Sequence, residues 1–286
     1  MSTSRLNCRG KILEFNSHTH IMGVINCTPD SFYAGSQTPD VGSAVESALR
    51  MVEEGADILD IGGESSRPGA EPVSEDEEVR RVLPVIEKLR PQIKIPISID
   101  TVKAGVARRA FEAGADMLND ISALQLDSAI AEVAASFNAA VVLMHIKGKP
   151  KNMQANPSYE NVVGEISEYL QHRIEHATRY GIKRENLVVD PGIGFGKRLQ
   201  DNYEIIRRLG EFGKLGRPIL VGPSRKSFIG RVLNLPPAET LEGTIAAATA
   251  AILNGADMLR VHDVNAVKRA AMIADYLVGK RVKANS

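Results

Sequence analysis

The sequence predicts a single-domain (β/α)8 barrel of the α/β class. Three observations carry that reading: a motif that recurs three times, eight short apolar runs separated by helical patterns, and a length suited to one such unit. The motif is GADILDIG at Gly55–Gly62, GADMLNDI at Gly114–Ile121 and GADMLRVH at Gly255–His262. Each copy follows an amphipathic helical stretch. The glycine can take the left-handed conformation that ends a helix, and the apolar run behind it reads as a buried parallel strand. Similar runs without the Gly-Ala-Asp lead complete the set of eight. Barrels of this kind run to about 250 residues, and the chain has 286.

In chain order, residues 1–20 form an N-terminal extension and the barrel occupies about 21–280 of a single domain, 1–286. Strand one is Ile21–Asn26, followed by the Pro-containing loop Asn26–Phe32. A helix near 40–54 leads into strand two in the first echo, whose loop is Gly63–Gly69. Helix 74–90, strand Ile95–Asp100, helix 103–113 and the second echo come next. Helix 126–136, strand Ala140–His145, the loop Lys147–Pro157 and helix 158–180 follow. Strand Leu187–Asp190 ends in an Asp-Pro-Gly turn signal, helix 200–212 leads to strand Pro218–Gly222, and helix 240–254 to the third echo. A last helix lies near 263–278. An open doubly wound sheet is the alternative, but it would leave edges to near-continuous apolar strands.

Composition narrows function. Thirty-five Lys and Arg balance 35 Asp and Glu, so no broad positive field draws the chain to nucleic acid or to an anionic membrane. Cys8 and Cys27 are too few for a disulfide framework or a spaced metal cluster, which suits a reducing cytoplasm. The N-terminus lacks a signal-like apolar stretch, and Thr244–Leu253 is too short to span a bilayer. A cytosolic location is expected.

The echoes fall on strands two, four and eight, and alternate strands feed the same internal layers of a barrel. Asp60, Asn119 and Arg260 are therefore comparable positions, with His262 on the same face as Arg260. The last polar residues of the strands are Asn26, Asp60, Asp100, Asn119, His145 and Asp190, then Ser224 past strand seven, then Arg260 with His262. This rim is where barrel enzymes place their chemistry, although any one position also reads as a strand merely emerging into a loop.

Asp60, Asp100 and Asp190 with Asn119 suit the donor-rich edge of a guanine-like or pterin-like ring, or alternatively Mg2+. Arg260 and His262 suit a phosphate or diphosphate, and Gly222–Ser227 supplies further anion donors beside an expected helix start. His145 reads as more often structural than catalytic, and His18, His20, His172 and His176 show no partners in sequence. Cys27 lacks the companions of a thiol nucleophile, and Gly192–Gly196 lacks the context of a dinucleotide fingerprint.

Taken together, MGVINCTPDSF, DIGGESSRPGA, ISIDT, GADMLNDIS, VVLMHIKGKPKNMQ, VDPGIGFGK, VGPSRKSFIG and GADMLRVHDV resemble, in order and over nearly the whole chain, the bacterial dihydropteroate synthases of folate synthesis. The resemblance implies a barrel that joins 6-hydroxymethyl-7,8-dihydropterin diphosphate to p-aminobenzoate, giving 7,8-dihydropteroate and diphosphate, with sulfonamides as p-aminobenzoate mimics. It implies Asp100, Asn119, Met144, Asp190, Phe195 and Lys226 around the pterin. It implies Asn26, Arg260 and His262 on the diphosphate, and Asn26 near Mg2+. Ser66, Arg67, Pro68, Phe195, Lys226 and Ser227 fall on the p-aminobenzoate side, and Thr28, Asp30 and Phe32 in a mobile first loop. Asp100, Lys226, Arg260 and His262 are the implied catalytic group, working through departure of diphosphate to leave a pterin cation. The sequence departs from the family at Cys27, Tyr33-Ala34 and Ser66.

Two other functions stay open at this stage: a pterin-binding methyltransferase barrel that serves a corrinoid protein, and a non-catalytic binding barrel. The apolar helix Leu241–Leu253 suggests a homodimer, as does the resemblance.

Overall fold

The structure is a computed structural model that describes residues 5–28, 41–65 and 69–280. Eight parallel strands form the sheet: β3 (His20–Asn26), β4 (Ile58–Gly62), β5 (Ile97–Asp100), β6 (Met117–Asp120), β7 (Ala140–Met144), β8 (Leu187–Asp190), β9 (Leu220–Val221) and β10 (Met258–Val261). They pair in the order β8-β7-β6-β5-β4-β3-β10-β9. A parallel bridge between Val189 and Ile219 joins the two ends, and Val189 N–H donates to the Pro218 carbonyl at 2.9 Å. The sheet is thus a ring, and the open alternative is excluded.

Helices α1 (Val41–Glu53), α2 (Glu75–Leu89), α3 (Ala104–Glu112), α4 (Ile130–Ser136), α5 (Val162–Arg179), α6 (Leu199–Arg207), α7 (Ser227–Leu233), α8 (Leu241–Leu253) and α9 (Val264–Leu277) alternate with the strands. Outward strand residues such as Ile21, Leu59, Ile99, Leu118, Val141 and Leu259 share one core with the helices. Inward residues at the N-terminal end, among them Met22, Ile58, Met117, Val188, Leu220 and Met258, form a second core.

That second core explains the N-terminal extension, to which sequence reading assigned no element. Residues 5–14 form a hairpin of β1 (Arg5–Cys8) and β2 (Lys11–Glu14), and its Leu6, Cys8 and Leu13 plug the bottom of the barrel. The turn residues Arg9 and Gly10 both take positive φ, 51° and 96°, which matches a two-residue turn to the twist of its strands. Gly10 N–H donates to Asn7 Oδ1 at 2.7 Å.

The recurring Gly-Ala-Asp has a physical cause at both ends. Gly55, Gly114 and Gly255 have φ of +96°, +108° and +103°, the left-handed turn that lets a helix end and reverse into a strand. The aspartates clip adjacent strands together. Asp57 accepts from Ile21 N–H at 2.8 Å, Asp116 from Ile97 N–H at 2.9 Å, and Asp257 from Ile219 N–H at 2.9 Å. Each satisfies a backbone donor at the start of a neighbouring strand.

Other boundaries differ modestly from expectation. The seventh barrel strand shrinks to Leu220–Val221, because its first residues serve the closing bridge instead of a full ladder. The pattern over 200–212 divides into α6 and a 3-10 stretch, Leu209–Leu215, whose Phe212 is fully buried. Cys8 and Cys27 are both buried and free, and burial pushes the Cys27 thiol up to about 12, so it is no nucleophile at neutral pH. Among the described residues, no helix is long and apolar enough to cross a membrane.

Candidate active site

Period-two alternation sends Asn26, Asp60, Asp100, Asn119, Met144, Asp190, Arg260 and His262 into the barrel from the C-terminal halves or ends of their strands. The three aligned echo positions meet at one atom. Asp60 Oδ2 accepts from Arg260 Nε at 2.6 Å and from Asn119 Nδ2 at 2.9 Å. Arg260 also donates through a terminal nitrogen to Asp100 Oδ2 at 2.7 Å. Its guanidinium therefore braces two carboxylates from β4 and β5, which the expectation of a purely diphosphate-binding Arg260 did not include. Burial pushes the Asp100 carboxyl up while the nearby Arg260 charge draws it back.

Asp60 is fully buried, yet its Oδ1 has no hydrogen-bond partner among the described residues, and neither does the hydroxyl of Ser98, its register neighbour on β5. Orphaned polar atoms on a barrel floor are places for a ligand N–H or an internal water. Asp190 stands across this bowl at the end of β8. One of its oxygens accepts from Gly192 N–H at 2.7 Å, which is the bond the turn reading calls for. Burial raises its carboxyl above the usual range, against the pull of Lys226.

Beyond Asp190 the loop Gly192–Gly196 is fixed carbonyl by carbonyl. Gly192 O accepts from Phe195 N–H at 3.0 Å, Ile193 O from the Lys226 ammonium, Gly194 O from Gln154 Nε2 at 2.6 Å, Phe195 O from Lys197 Nζ at 2.9 Å, and Gly196 O from the Tyr159 hydroxyl at 2.7 Å. Gly192 and Gly196 have positive φ and press on the His145 and Lys147 carbonyls so closely that any Cβ would collide. Gly192 and Gly196 thus serve close backbone approach. The loop presents Phe195, and the Lys226 ammonium lies 4.2 Å from the centre of its ring.

His145 is structural: its Nδ1 is 3.0 Å from the buried Lys197 Nζ, and burial drives the imidazole down to about 2. Sequence reading missed Lys197, Gln154 and Tyr159 because their contacts are to backbone atoms 2 to 40 residues away and leave no spacing signal. His262 Nδ1 lies 3.0 Å from Ser224 Oγ, and this ties the ring after β10 to the loop after β9. Ser227 opens α7 at the same rim, and Thr28 stands at the end of the first described segment. Asp30, Phe32, Ser66, Arg67 and Pro68 lie outside the described residues.

Lys226 gives the bowl a measurable pH signature. Burial, partly offset by Asp190, pushes its ammonium down to about 7. In an unfolded chain a lysine titrates near about 10.4, so between those values folding releases a proton and stability rises with pH. Lys226→Met should flatten that rise between about pH 7 and 10 in a urea-unfolding series. Equal slopes for both proteins would contradict a Lys226 ammonium held below the usual lysine range.

A separate group lies at the opposite, N-terminal end. The ligand atoms of His18, His20 and Asp57 all fall within 4.8 Å of one another and can hold a metal ion. The histidines that showed no partner in sequence thus have one in space: His18 Nε2 is 2.9 Å from Asp57 Oδ1.

The barrel carries a bowl of carboxylates, an amide, a guanidinium and a ring-backed lysine, and the sequence profile of the family described as pterin binding enzyme matches residues 22–262. A dihydropteroate synthase from Synechocystis sp. is 46% identical over 267 residues, 93% of this chain and 92% of that protein. The dihydropteroate synthase of Yersinia pestis, solved as a sulfonamide complex, superposes with a TM-score of 0.91 at 42% identity, covering 96% of this chain and 99% of that one. The Xanthomonas albilineans dihydropteroate synthase solved with 7,8-dihydropteroate gives 0.87 at 40% identity, with 96% and 99% covered. The chain belongs to the pterin binding enzyme family and, within it, to the dihydropteroate synthases, which transfer a dihydropterin moiety to p-aminobenzoate to form dihydropteroate.

Proposed function

We propose that the transfer takes place in the C-terminal bowl by dissociation: the C–O bond to diphosphate breaks first, and the p-aminobenzoate amine then captures the pterinylmethyl cation and loses a proton. The observation that carries this reading is the pair of carboxylates, Asp60 and Asp100, on the Arg260 guanidinium, with Asp190 buried across the bowl. Carboxylates at a pterin edge accept its N–H groups and lower the cost of positive charge on the ring. Asp190, Asn119 and Asp100 bind the pterin in this account, with Met144 and Phe195 against its faces. Arg260 and His262 take the diphosphate charge. Phe195, Lys226 and Ser227, with Ser66, Arg67 and Pro68, form the p-aminobenzoate side, where sulfonamides would compete. Thr28, Asp30 and Phe32 act from the first loop.

Mg2+ fits this rim as an ion shared with substrate. It keeps several waters and takes one or two protein oxygens together with phosphate oxygens. Asn26, half-buried at the end of β3 beside Gly62, offers one neutral amide oxygen, which is too little to hold a resident ion alone. Bound there, Mg2+ would neutralise charge on the leaving diphosphate. A substrate labelled with 18O in the bridging position tests dissociation. With Mg2+ and without p-aminobenzoate, the label should scramble into non-bridging positions of recovered substrate. Absence of scrambling, in a sample that turns over once p-aminobenzoate is added, would contradict it.

We further infer that the chain acts as one cytosolic domain and as a homodimer. Support comes from large apolar side chains left exposed on α7, α8 and α9: Val232, Leu233, Leu253, Ile273 and Leu277, the last 70% exposed. Light scattering should return twice the 31.0 kDa chain mass, and Ile273→Asp should halve it. A monomeric mass for the unmodified protein would count against the dimer.

A further inference from the structure

We propose that His18, His20 and Asp57 form a site for a borderline divalent transition ion of the Zn2+ and Co2+ class, at the end of the barrel opposite the bowl. The ligands come from two segments. His18 and His20 lie where the chain leaves the hairpin and enters β3, and Asp57 precedes β4. His18 Nε2 is 2.9 Å and His20 Nδ1 3.8 Å from the same atom, Asp57 Oδ1. Two ligand atoms, each about 2.0–2.1 Å from a tetrahedral ion, stand about 3.3 Å apart, between those two values.

The strongest sign is His20. It is 3% exposed and its Nδ1 has no hydrogen-bond partner, since 3.8 Å exceeds hydrogen-bond range. Its Nε2 lies 3.2 Å from the Glu14 carbonyl, which can only accept, so Nε2 carries the proton. Nδ1 of the same ring faces a carboxylate oxygen of Asp57. A second proton or a metal cation would satisfy both atoms, and the outer contacts are those that a metal site needs. Every atom on the far side of a ligand is held: His18 Nδ1 by Ser17 Oγ at 2.9 Å, His20 Nε2 by Glu14, and Asp57 Oδ2 by Ile21 N–H and Lys268 Nζ, each at 2.8 Å. Such outer partners fix ring orientation at metal sites.

Two imidazoles and one carboxylate select borderline transition ions over Mg2+. The part-exposed His18 gives the ion an entry path and a solvent-facing position. Lys268 on the outer oxygen tempers affinity, so the ion is offered in excess. The role is a clasp: the ion fastens the exit of the hairpin plug to the barrel wall, and its removal costs stability, not chemistry.

The test uses the full chain dialysed against chelator and titrated with CoCl2, then with ZnCl2 or MgCl2. One equivalent of Co2+ should bind with visible d–d bands, which Zn2+ erases and Mg2+ does not. Free Zn2+ at a hundred times its dissociation constant should raise Tm by about 5 °C. His18→Ala and His20→Gln should each abolish the bands and the shift while pterin binding by calorimetry, the check on folding, stays intact. If His20→Gln fails that check, His18→Ala on its part-exposed ring decides. No bands and no shift in the unmodified protein, or bands that persist in a folded variant, would overturn the proposal.

Discussion

Arg260→Ala should cost the protein both its catalysis and much of its stability. The guanidinium bonds Asp60, which is fully buried, and Asp100, so its removal leaves two adjacent carboxylates without their shared cation. Breaking a buried pair by deleting one partner costs about 3–5 kcal/mol, and the loss should be read as a lower urea midpoint. On the proposed diphosphate role, loss of this preorganised charge should lower kcat on the order of 10²–10³-fold. Arg260→Lys should recover only part of either loss, because one ammonium cannot reproduce a fork that spans β4 and β5. The bracing role predicts weaker binding even of a diphosphate-free pterin. An Arg260→Ala protein of normal stability and normal affinity for that ligand would show that the arginine serves diphosphate alone.

Asp190→Asn should weaken pterin binding by about 1.5–3 kcal/mol, roughly 10- to 150-fold, since a charge-assisted acceptor becomes a mixed donor and acceptor. The amide can still take the Gly192 N–H through its oxygen, so the turn that begins the Phe195 loop should survive. Binding and folding therefore separate in this variant. Calorimetry with the pterin diphosphate reads the first and urea unfolding the second. Unchanged affinity would remove Asp190 from the pterin edge.

The same residues show what was legible in the sequence. The echo at Gly55, Gly114 and Gly255 was readable because helix termination and strand burial both act over a few adjacent residues, and a repeat makes them visible. Alternation along the strands placed Asp60, Asn119 and Arg260 in one layer, and the structure joins them at Asp60 Oδ2. The hairpin was not legible: its apolar residues Leu6, Cys8 and Leu13 are few, and their core partners sit on strands far along the chain. Nor were the contacts that hold the Gly192–Gly196 loop, since Gln154, Tyr159 and Lys197 reach backbone carbonyls, and a carbonyl has no residue type to read. Arg260 marks the boundary between the two cases. Its location followed from periodicity, but its service to two carboxylates depended on side-chain reach across the barrel.

Pterin transfer in the C-terminal bowl is tested most directly by chromatographic detection of dihydropteroate. The protein is mixed with dihydropterin diphosphate, p-aminobenzoate and Mg2+, and each is omitted in turn. Product should form only in the complete mixture and should fall sharply in Asp190→Asn and Arg260→Ala. No product from unmodified protein that binds the pterin in calorimetry, or full turnover by both variants, would contradict the account.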